Sequence, residues 1–365
     1  MRIDHVQQFY RIPMTVFADM MTLSRLSGYI LHCCLVWSFG GFRAGKAFGQ
    51  LPYPPNDPEF SRQRDLFETL HIQETWEAIR KSGLPRRDVI VTVIDTGVAT
   101  KQPDLVGQLL KGQDASGSLV PSVEDMEGHG TEVTSVIAAG INNGTGIAGV
   151  ADRIKVRPIR ATASPSGAAT DEESERAWVE ANKFDDSDVI VYATAGPFEK
   201  ERSVMYKNVI TEAVKKGNFV VVAASNSDQA TGPEEVLLPC SMANSMRGVV
   251  CVAATLTASP TVLMSEASLL ASFGVPGTQV IVATKRDKSR KWKYVEVEGS
   301  SSATAIVGGI AALMRSFKKF TPDVMKEILL NVTVCKVKTK KGVEMLYGVL
   351  RPDLAVKRAI ELARH

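Results

Sequence analysis

Residues 299–313 read Gly-Ser-Ser-Ser-Ala-Thr-Ala-Ile-Val-Gly-Gly-Ile-Ala-Ala-Leu, three hydroxyl residues after a glycine and then an almost wholly small and apolar run. Ala303, Ile306, Val307 and Ile310 recur at helical spacing, and apolar residues fill the other side, so we expect a helix buried all round. The serines lie at its N-terminus, where backbone N–H groups lack helical partners and carry partial positive charge. They are either the cap of a core helix or, beside a base, a nucleophile at an oxyanion site.

The rest of the chain alternates short apolar runs with helical patterns. Strands are predicted at 89–94, 154–159, 188–193, 219–224, 248–253 and 279–283, and helices at 67–81, from 129 onward, and at 170–183, 204–216, 322–330 and 352–363. The apolar runs are continuous, which is typical of parallel strands covered on both faces. The sequence therefore predicts an α/β fold with a parallel β-sheet between helices. The Lys-rich run 336–341 predicts a solvated hairpin.

Composition narrows the function classes. The 365 residues include 43 Lys and Arg against 40 Asp and Glu, a net charge of +3 that is too balanced to indicate a nucleic-acid partner. Residues 29–39 are apolar apart from His32 and Ser38, and small residues follow, which is the pattern of a secretory signal. We therefore expect residues 1–47 to be a targeting segment, either the cleaved signal of a secreted protein or an uncleaved membrane anchor through 29–39, and residues 48–365 to form the folded domain.

Cysteines are few beyond that segment. Cys33 and Cys34 lie inside it, and Cys240, Cys251 and Cys335 follow, an odd number that allows at most one disulfide. Their spacing matches no zinc site. The chain is therefore not a disulfide-stapled scaffold.

Four polar residues stand where predicted strands end or predicted helices begin. Asp95 and Asn226 follow apolar runs, while His129 and Ser301 begin helices. Because the carboxyl ends of parallel strands share one edge of a sheet, we expect all four on that edge, where ligands gather. Alone, each has a structural explanation, such as a helix cap for Asp95 or a turn for Asn226. Together they comprise an acid, a base, an amide and a nucleophile.

Three stretches resemble a known family. Val93-Ile-Asp-Thr-Gly97, Gly128-His-Gly-Thr-Glu-Val133 and Gly299-Ser-Ser-Ser-Ala303 are similar to the three motif blocks of the subtilisin-like serine proteases, in that family's order of Asp, His and Ser. The α/β-hydrolases run Ser, Asp, His, which is not the order here. The resemblance extends from residue 56, where the arm resembles the thermitase-like branch, to the C-terminal helix. It implies a subtilisin-like three-layer fold for residues 48–365.

The resemblance also implies catalytic roles. Ser301 would attack the scissile carbonyl, His129 would take and return the proton, and Asp95 would orient the imidazole. Asn226 would donate to the oxyanion together with the Ser301 N–H. Alignment on Gly299 and the residues after the serines selects Ser301 from its two neighbours.

Substrate residues follow from the same resemblance. An extended peptide would lie against backbone edges, and the implied residues are Ala193, Thr194, Ala195 and Gly196 on one side and Ser166 and Gly167 on the other. Ser225 stands where the family has a glycine and would narrow the main specificity pocket.

The loop with Gly144, Gly146 and Gly149 fits a dinucleotide fingerprint by spacing alone. A helix precedes it and a strand follows, the reverse of what phosphate binding needs, so no nucleotide is expected. The loop resembles the family's calcium site, which implies a structural Ca²⁺ ion. The implied ligands are the side chains of Asp57, Asp104 and Asn143 and the carbonyls of Gly140, Thr145 and Ile147. The alternative is an ordinary Asn/Gly turn, in which Asn143 could carry a glycan.

The sequence thus predicts a monomeric serine endopeptidase of broad specificity that acts on polypeptides, with membrane contact only through its N-terminal segment. The alternative is a subtilisin-like pseudoprotease that serves as a binding protein. The changed pocket at Ser225, and the lack of room before residue 56 for the family's inhibitory pro-domain, favour the alternative. The presence of all three triad residues and of Asn226 favours the enzyme.

Overall fold

The computed structural model describes residues 51–226, 237–265 and 268–365. The predicted targeting segment 1–47, with Cys33 and Cys34, lies outside the described residues. Within the described ranges, no helix has both the length and the apolar character needed to cross a membrane.

The described helices and strands alternate along the chain. The helices are α1 Phe60–Thr69, α2 Ile72–Ser82, α3 His129–Ala138, α4 Asp171–Ala181, α5 Lys200–Lys215, α6 Cys240–Ala243, α7 Ser300–Phe317, α8 Pro322–Asn331 and α9 Pro352–Ala363. The strands are β1 Val89–Asp95, β2 Gln113–Asp114, β3 Ile154–Arg160, β4 Val189–Tyr192, β5 Gly196–Pro197, β6 Phe219–Ala223, β7 Leu237–Leu238, β8 Val249–Leu256, β9 Ser259–Leu263, β10 Phe273–Pro276, β11 Val280–Ala283, β12 Tyr294–Val297, β13 Thr333–Lys338 and β14 Glu344–Leu350.

Ten of these strands form one sheet in the order β10-β14-β13-β9-β8-β6-β4-β1-β3-β2. The strands from β8 to β2 in this order are parallel, as the continuous apolar runs predict. The β8–β9 and β13–β14 pairs are antiparallel, so the sheet is mixed at the other edge. The β13–β14 pair is the hairpin predicted from the Lys-rich run 336–341.

Both faces of the sheet are covered. In β4, Val191 packs in a core with α1, α2, α3, α7, α8 and α9, while Ile190 and Tyr192 pack on the opposite face with α4 and α5. This alternation follows from the two-residue period of a strand. The result is the expected α/β fold of three layers.

One predicted helix is divided in two. The sequence predicts one helix over 67–81, but α1 ends at Thr69 and α2 begins at Ile72, because His71 adopts a left-handed φ of 53°. The break lets the rings of Phe67 and Trp76 meet edge to face, with centroids 5.8 Å apart. No glycine or proline marks this position, so the sequence pattern gives no sign of it.

Cys240 and Cys251 form a disulfide that ties α6 to β8. Cys335 is a free, exposed thiol. This pairing is consistent with the limit of one disulfide that the sequence sets.

Helix α7 lies in the core, as residues 299–313 predict. Every residue from Ser302 to Ser316 is buried, and only Ser301 in the first turn is partly exposed. Gly308 is needed for the close approach to β4, because a Cβ there would lie 2.7 Å from Val191 Cγ2. Apolar burial and this close contact together fix where the N-terminus of α7 stands relative to the sheet.

We expect Gly308→Ala to lower the free energy of unfolding by about 1–3 kcal/mol, because the added methyl group overpacks the contact with Val191. Urea unfolding followed by circular dichroism measures the change. In a double-mutant cycle with Val191→Ala, the two losses of unfolding free energy should be less than additive, since Val191→Ala removes the atom with which the new methyl group clashes. Strict additivity would contradict this packing.

Candidate active site

Asp95 and His129 are brought together by the end of β1 and the start of α3. His129 Nδ1 lies 2.8 Å from Asp95 Oδ1, with the carboxylate side chain 2% exposed and the imidazole 34% exposed. Gly130 permits this approach, because a Cβ there would lie 2.2 Å from the carbonyl oxygen of Gly97. Asp95 and His129, which are far apart in the sequence, thus form a hydrogen-bonded pair in which the carboxylate is buried and the imidazole is partly exposed.

The pair has an electrostatic consequence for the base. Attraction to Asp95 raises the pKa of His129 above its ordinary value, burial of the ring opposes this, and Glu132 and Glu127 add smaller increases. Asp95 Oδ1 also accepts from the Thr96 N–H at 2.8 Å, while its Oδ2 is buried and has no hydrogen-bond partner in the described parts of the chain. The carboxylate is therefore held in place as a counter-charge for an imidazolium.

Asp125 is a positioning residue that the sequence analysis missed. Its buried carboxylate accepts from the Thr96 hydroxyl at 2.9 Å, and from the backbone N–H and the hydroxyl of Thr131 at 2.9 and 2.6 Å. Thr96 follows Asp95, and Thr131 lies in the first helical turn with His129. Asp125 thus ties the two elements together. An Asp shortly before a helix start is a capping signal that could have identified it.

Ser301 stands at the start of α7 on the same edge of the sheet. Its Oγ donates to the carbonyl oxygen of Ala193 at 3.0 Å, and no hydrogen bond joins it to His129 among the contacts of the described residues. Ser300 is fully buried and its Oγ accepts from the Ala254 N–H at 3.1 Å, and Ser302 is 7% exposed. Of the three serines, Ser301 is therefore the one that a substrate can reach.

Asn226 is joined to the same helix start. Its Oδ1 accepts from the Ser300 N–H at 2.7 Å, and its Nδ2 lies 3.0 Å from where a Cβ of Gly299 would stand. Gly299 has a φ of 146°, which also favours glycine. The carbonyl end of the amide is thereby anchored at α7, so the side chain has a fixed orientation beside Ser301.

A cavity of about 300 Å³ opens beside Asp95 and His129. Five of the predicted substrate residues line it, namely Ser166, Gly167, Ala193, Thr194 and Ala195. Gly196 begins the short strand β5, and Ser225 is half-buried next to Asn226; neither belongs to the described lining. The two predicted edges therefore face one space that adjoins the acid–base pair.

The six residues of the predicted calcium site also meet. Asp104 Oδ2 accepts from the Ile147 N–H at 2.9 Å, and its carbonyl oxygen accepts from the Gly140 N–H at 2.9 Å. Asp57 accepts from the Asn143 N–H at 2.9 Å. Asn143 packs on Gly140, and its Oδ1 accepts from the Thr145 N–H at 2.7 Å. The loop 140–147 is thus folded around two buried carboxylates.

The Asp104 carboxyl gives a test of whether a cation fits there. It is 1% exposed, its Oδ1 is buried with no hydrogen-bond partner among the described residues, and burial raises its pKa to about 6. Among the described residues, no three or more His, Cys, Asp or Glu side chains are grouped so that they could hold a metal ion, so ligands would have to include amide and carbonyl oxygens. Such an oxygen set fits a hard cation such as Ca²⁺.

Comparisons with known proteins show a family and several similar proteases. Residues 86–349 match the subtilase family model, Peptidase S8. The chain is 27% identical to an extracellular protease of Xanthomonas campestris pv. campestris over 84% of its own length and 57% of that protein's. It is 28% identical to the major intracellular serine protease of Bacillus subtilis, over 74% and 81% of the two lengths. It is 27% identical to thermitase of Thermoactinomyces vulgaris, over 72% and 86%.

Solved structures share the fold. A protease from Pseudoalteromonas arctica superposes with a TM-score of 0.69 at 24% identity, over 84% of this chain and 99% of that one. The match to the family model covers well over half of the sequence. The chain therefore belongs to the subtilase family of subtilisin-like serine endopeptidases.

Proposed function

We propose that the chain hydrolyses peptide bonds through Ser301, His129 and Asp95, with Asn226 at the oxyanion. The observation that carries this proposal is the 2.8 Å contact between His129 and a buried Asp95 at the mouth of the cavity. It is the geometry that a general base needs when a carboxylate must fix its tautomer and stabilise its protonated form.

The reaction begins with a change at the nucleophile. The Ser301 hydroxyl leaves the Ala193 carbonyl and turns toward Nε2 of His129. Oγ then attacks the scissile carbonyl as its proton passes to Nε2. The developing oxyanion meets the Nδ2 group of Asn226 and the Ser301 N–H. His129 returns the proton to the leaving amine, and water releases the acyl group by the same steps in reverse.

The substrate lies as an extended segment between 166–167 and 193–196. These two edges offer backbone hydrogen bonds that do not depend on side chains, which suits a broad range of polypeptides. Ser225, beside Asn226, narrows the main pocket. No second protomer is needed to complete the set of residues, so we propose a monomer.

We propose that the protein is secreted, with residues 1–47 as the targeting segment, or else anchored in the membrane through 29–39. The Xanthomonas relative is extracellular, while the Bacillus subtilis relative is intracellular. The Cys240–Cys251 disulfide favours an oxidising compartment. Sequencing the N-terminus of protein recovered from culture medium tests this, and finding the protein only in the cytosol would contradict it.

We expect a fluorophosphonate probe to label the wild-type protein and to fail on Ser301→Ala, because the probe needs an activated serine hydroxyl. His129→Ala should label much more slowly, since the base is lost. Labelling is read on a denaturing gel. Ser302→Ala is the matched control, because its hydroxyl is buried in the same helical turn, and it should label like the wild type. A folded wild-type protein that does not label would favour the pseudoprotease alternative.

We expect the acid limb of kcat/KM to have its midpoint above pH 6.5, the ordinary value for histidine. His129 must be neutral to accept a proton, so activity is lost as the pH falls through its raised pKa. In Glu132→Gln the midpoint should move down, because one negative charge that stabilises the imidazolium is removed. A midpoint below 6.5 in the wild type, or an upward shift in the variant, would argue against this assignment.

We also propose a structural Ca²⁺ ion held by Asp57, Asp104, Asn143 and the carbonyls of Gly140, Thr145 and Ile147. Its positive charge would offset the cost of the buried Asp104 carboxylate. Chelator should then lower Tm, by an amount equivalent to about 2.7 kcal/mol if the ion was present at 100 times its Kd.

Thermal melts with and without chelator measure this effect. The response should be absent in Asp104→Asn and unchanged in Asp185→Asn, which alters an exposed carboxylate elsewhere. A wild-type melting curve that excess chelator leaves in place would refute the calcium proposal.

A further inference from the structure

Glu127 lies in the loop before α3 and lines the cavity beside Asp95 and His129. Its Oε2 accepts from the His129 N–H at 2.7 Å, which fixes one end of the carboxylate. Its stem lies against Gly167, where a Cβ would stand 3.3 Å from Glu127 Cγ and 3.4 Å from Cδ. Glu127 therefore stands between the base and one of the two substrate edges.

The charges around this cavity do not balance. Its charged lining residues are Asp95, Glu127 and His129, and no Lys or Arg is among the described residues of its wall. Asp95 is engaged by His129 in a hydrogen-bonded pair. Glu127 has no ion pair with any described residue, and the nearby Lys285 ammonium donates instead to the Met126 carbonyl. The negative charge of Glu127 is thus not offset by a described cation within a partly enclosed space.

We propose that Glu127 selects substrates with Lys or Arg on the acyl side of the scissile bond, whose side chain enters this cavity. This selectivity rests on the proposed peptidase function. Because the lining does not include Ser301 or Asn226, the basic residue is not the one whose carbonyl is attacked. The proposal places it further toward the substrate's N-terminus. The volume of about 300 Å³ accommodates an extended basic side chain.

The second carboxylate oxygen is the contact point. Oε2 of Glu127 accepts a hydrogen bond from the His129 N–H. Oε1 has no hydrogen bond to a described residue and can accept from an ammonium or guanidinium group. A charge-assisted hydrogen bond in a restricted space is stronger than one between neutral groups. The apolar part of the basic side chain would pack on Ala168, Ala169 and Ala195, which line the same cavity.

The test uses fluorogenic peptide amides that differ only by arginine or norleucine at the second, third or fourth position on the acyl side. In the wild type, kcat/KM for arginine should exceed that for norleucine at least about tenfold at one of these positions. In Glu127→Gln, which keeps an oxygen acceptor for the His129 N–H, this ratio should fall close to one. Glu124→Gln is the control, because Glu124 is an exposed carboxylate in the same loop that binds Thr100, and the ratio should persist.

A second measurement needs only the wild type. The arginine ratio should fall as sodium chloride rises, because salt screens a partly exposed charge pair. A ratio near one at every position, or a ratio that Glu127→Gln leaves intact, would overturn the selectivity while fluorophosphonate labelling still supported the peptidase. Absence of both cleavage and labelling would overturn the peptidase function, and this selectivity with it.

Discussion

The burial of α7 through the centre of the fold is the constraint on which the rest of the structure depends. Its two ends are fixed to opposite ends of the sheet. At the start, Ser301 donates to the Ala193 carbonyl just beyond β4. Near the other end, Arg315 is fully buried and donates to the carbonyls of Asp188 and Gly217. Asp188 immediately precedes β4, and Gly217 closely precedes β6. A helix is a rigid rod of about 1.5 Å per residue, so these contacts set the height of Ser301 above the sheet.

The parallel direction of the central strands then determines which residues Ser301 meets. Strand β1 ends at Asp95, β4 is followed by Ala193, and β6 is followed after two residues by Asn226. These strands are hydrogen-bonded neighbours, with Val93 opposite Val191 and Val191 opposite Val221. Residues far apart in sequence therefore converge without any local signal to join them. Only α3 approaches from the side, and Gly130 and Asp125 bring His129 to the end of β1.

The contrast between strand ends, which a sequence pattern marks, and tertiary contacts, which it does not mark, explains what could be predicted from the sequence. Continuous apolar runs indicate parallel strands, and a polar residue at each strand end then predicts the edge on which the site lies, as for Asp95 and Asn226. Tertiary contacts leave no such periodicity. The break at His71 exists because Phe67 and Trp76 pack together, and β9 joins the sheet through an irregular antiparallel pairing. The contact between Ser301 and Ala193, which decides the resting position of the hydroxyl, depends on a rotamer that no sequence pattern specifies.

Arg315 shows why a catalytic arrangement can depend on a residue far from the chemistry. Burial lowers the pKa of its guanidinium to about 10, so the charge is retained, and Asp188 partly compensates it. No sequence pattern predicts an arginine in the core, since isolated arginines are rarely fully buried. Here the side chain meets three backbone carbonyls, those of Asp188, Gly217 and Phe320. The Asp188 carbonyl also accepts from the Phe219 N–H of β6 at 3.0 Å. The guanidinium therefore joins the amino-terminal edge of the sheet to the segment that follows α7. These contacts of Arg315 hold α7 at the end opposite Ser301. The position of Ser301 therefore depends on polar contacts as well as on apolar packing.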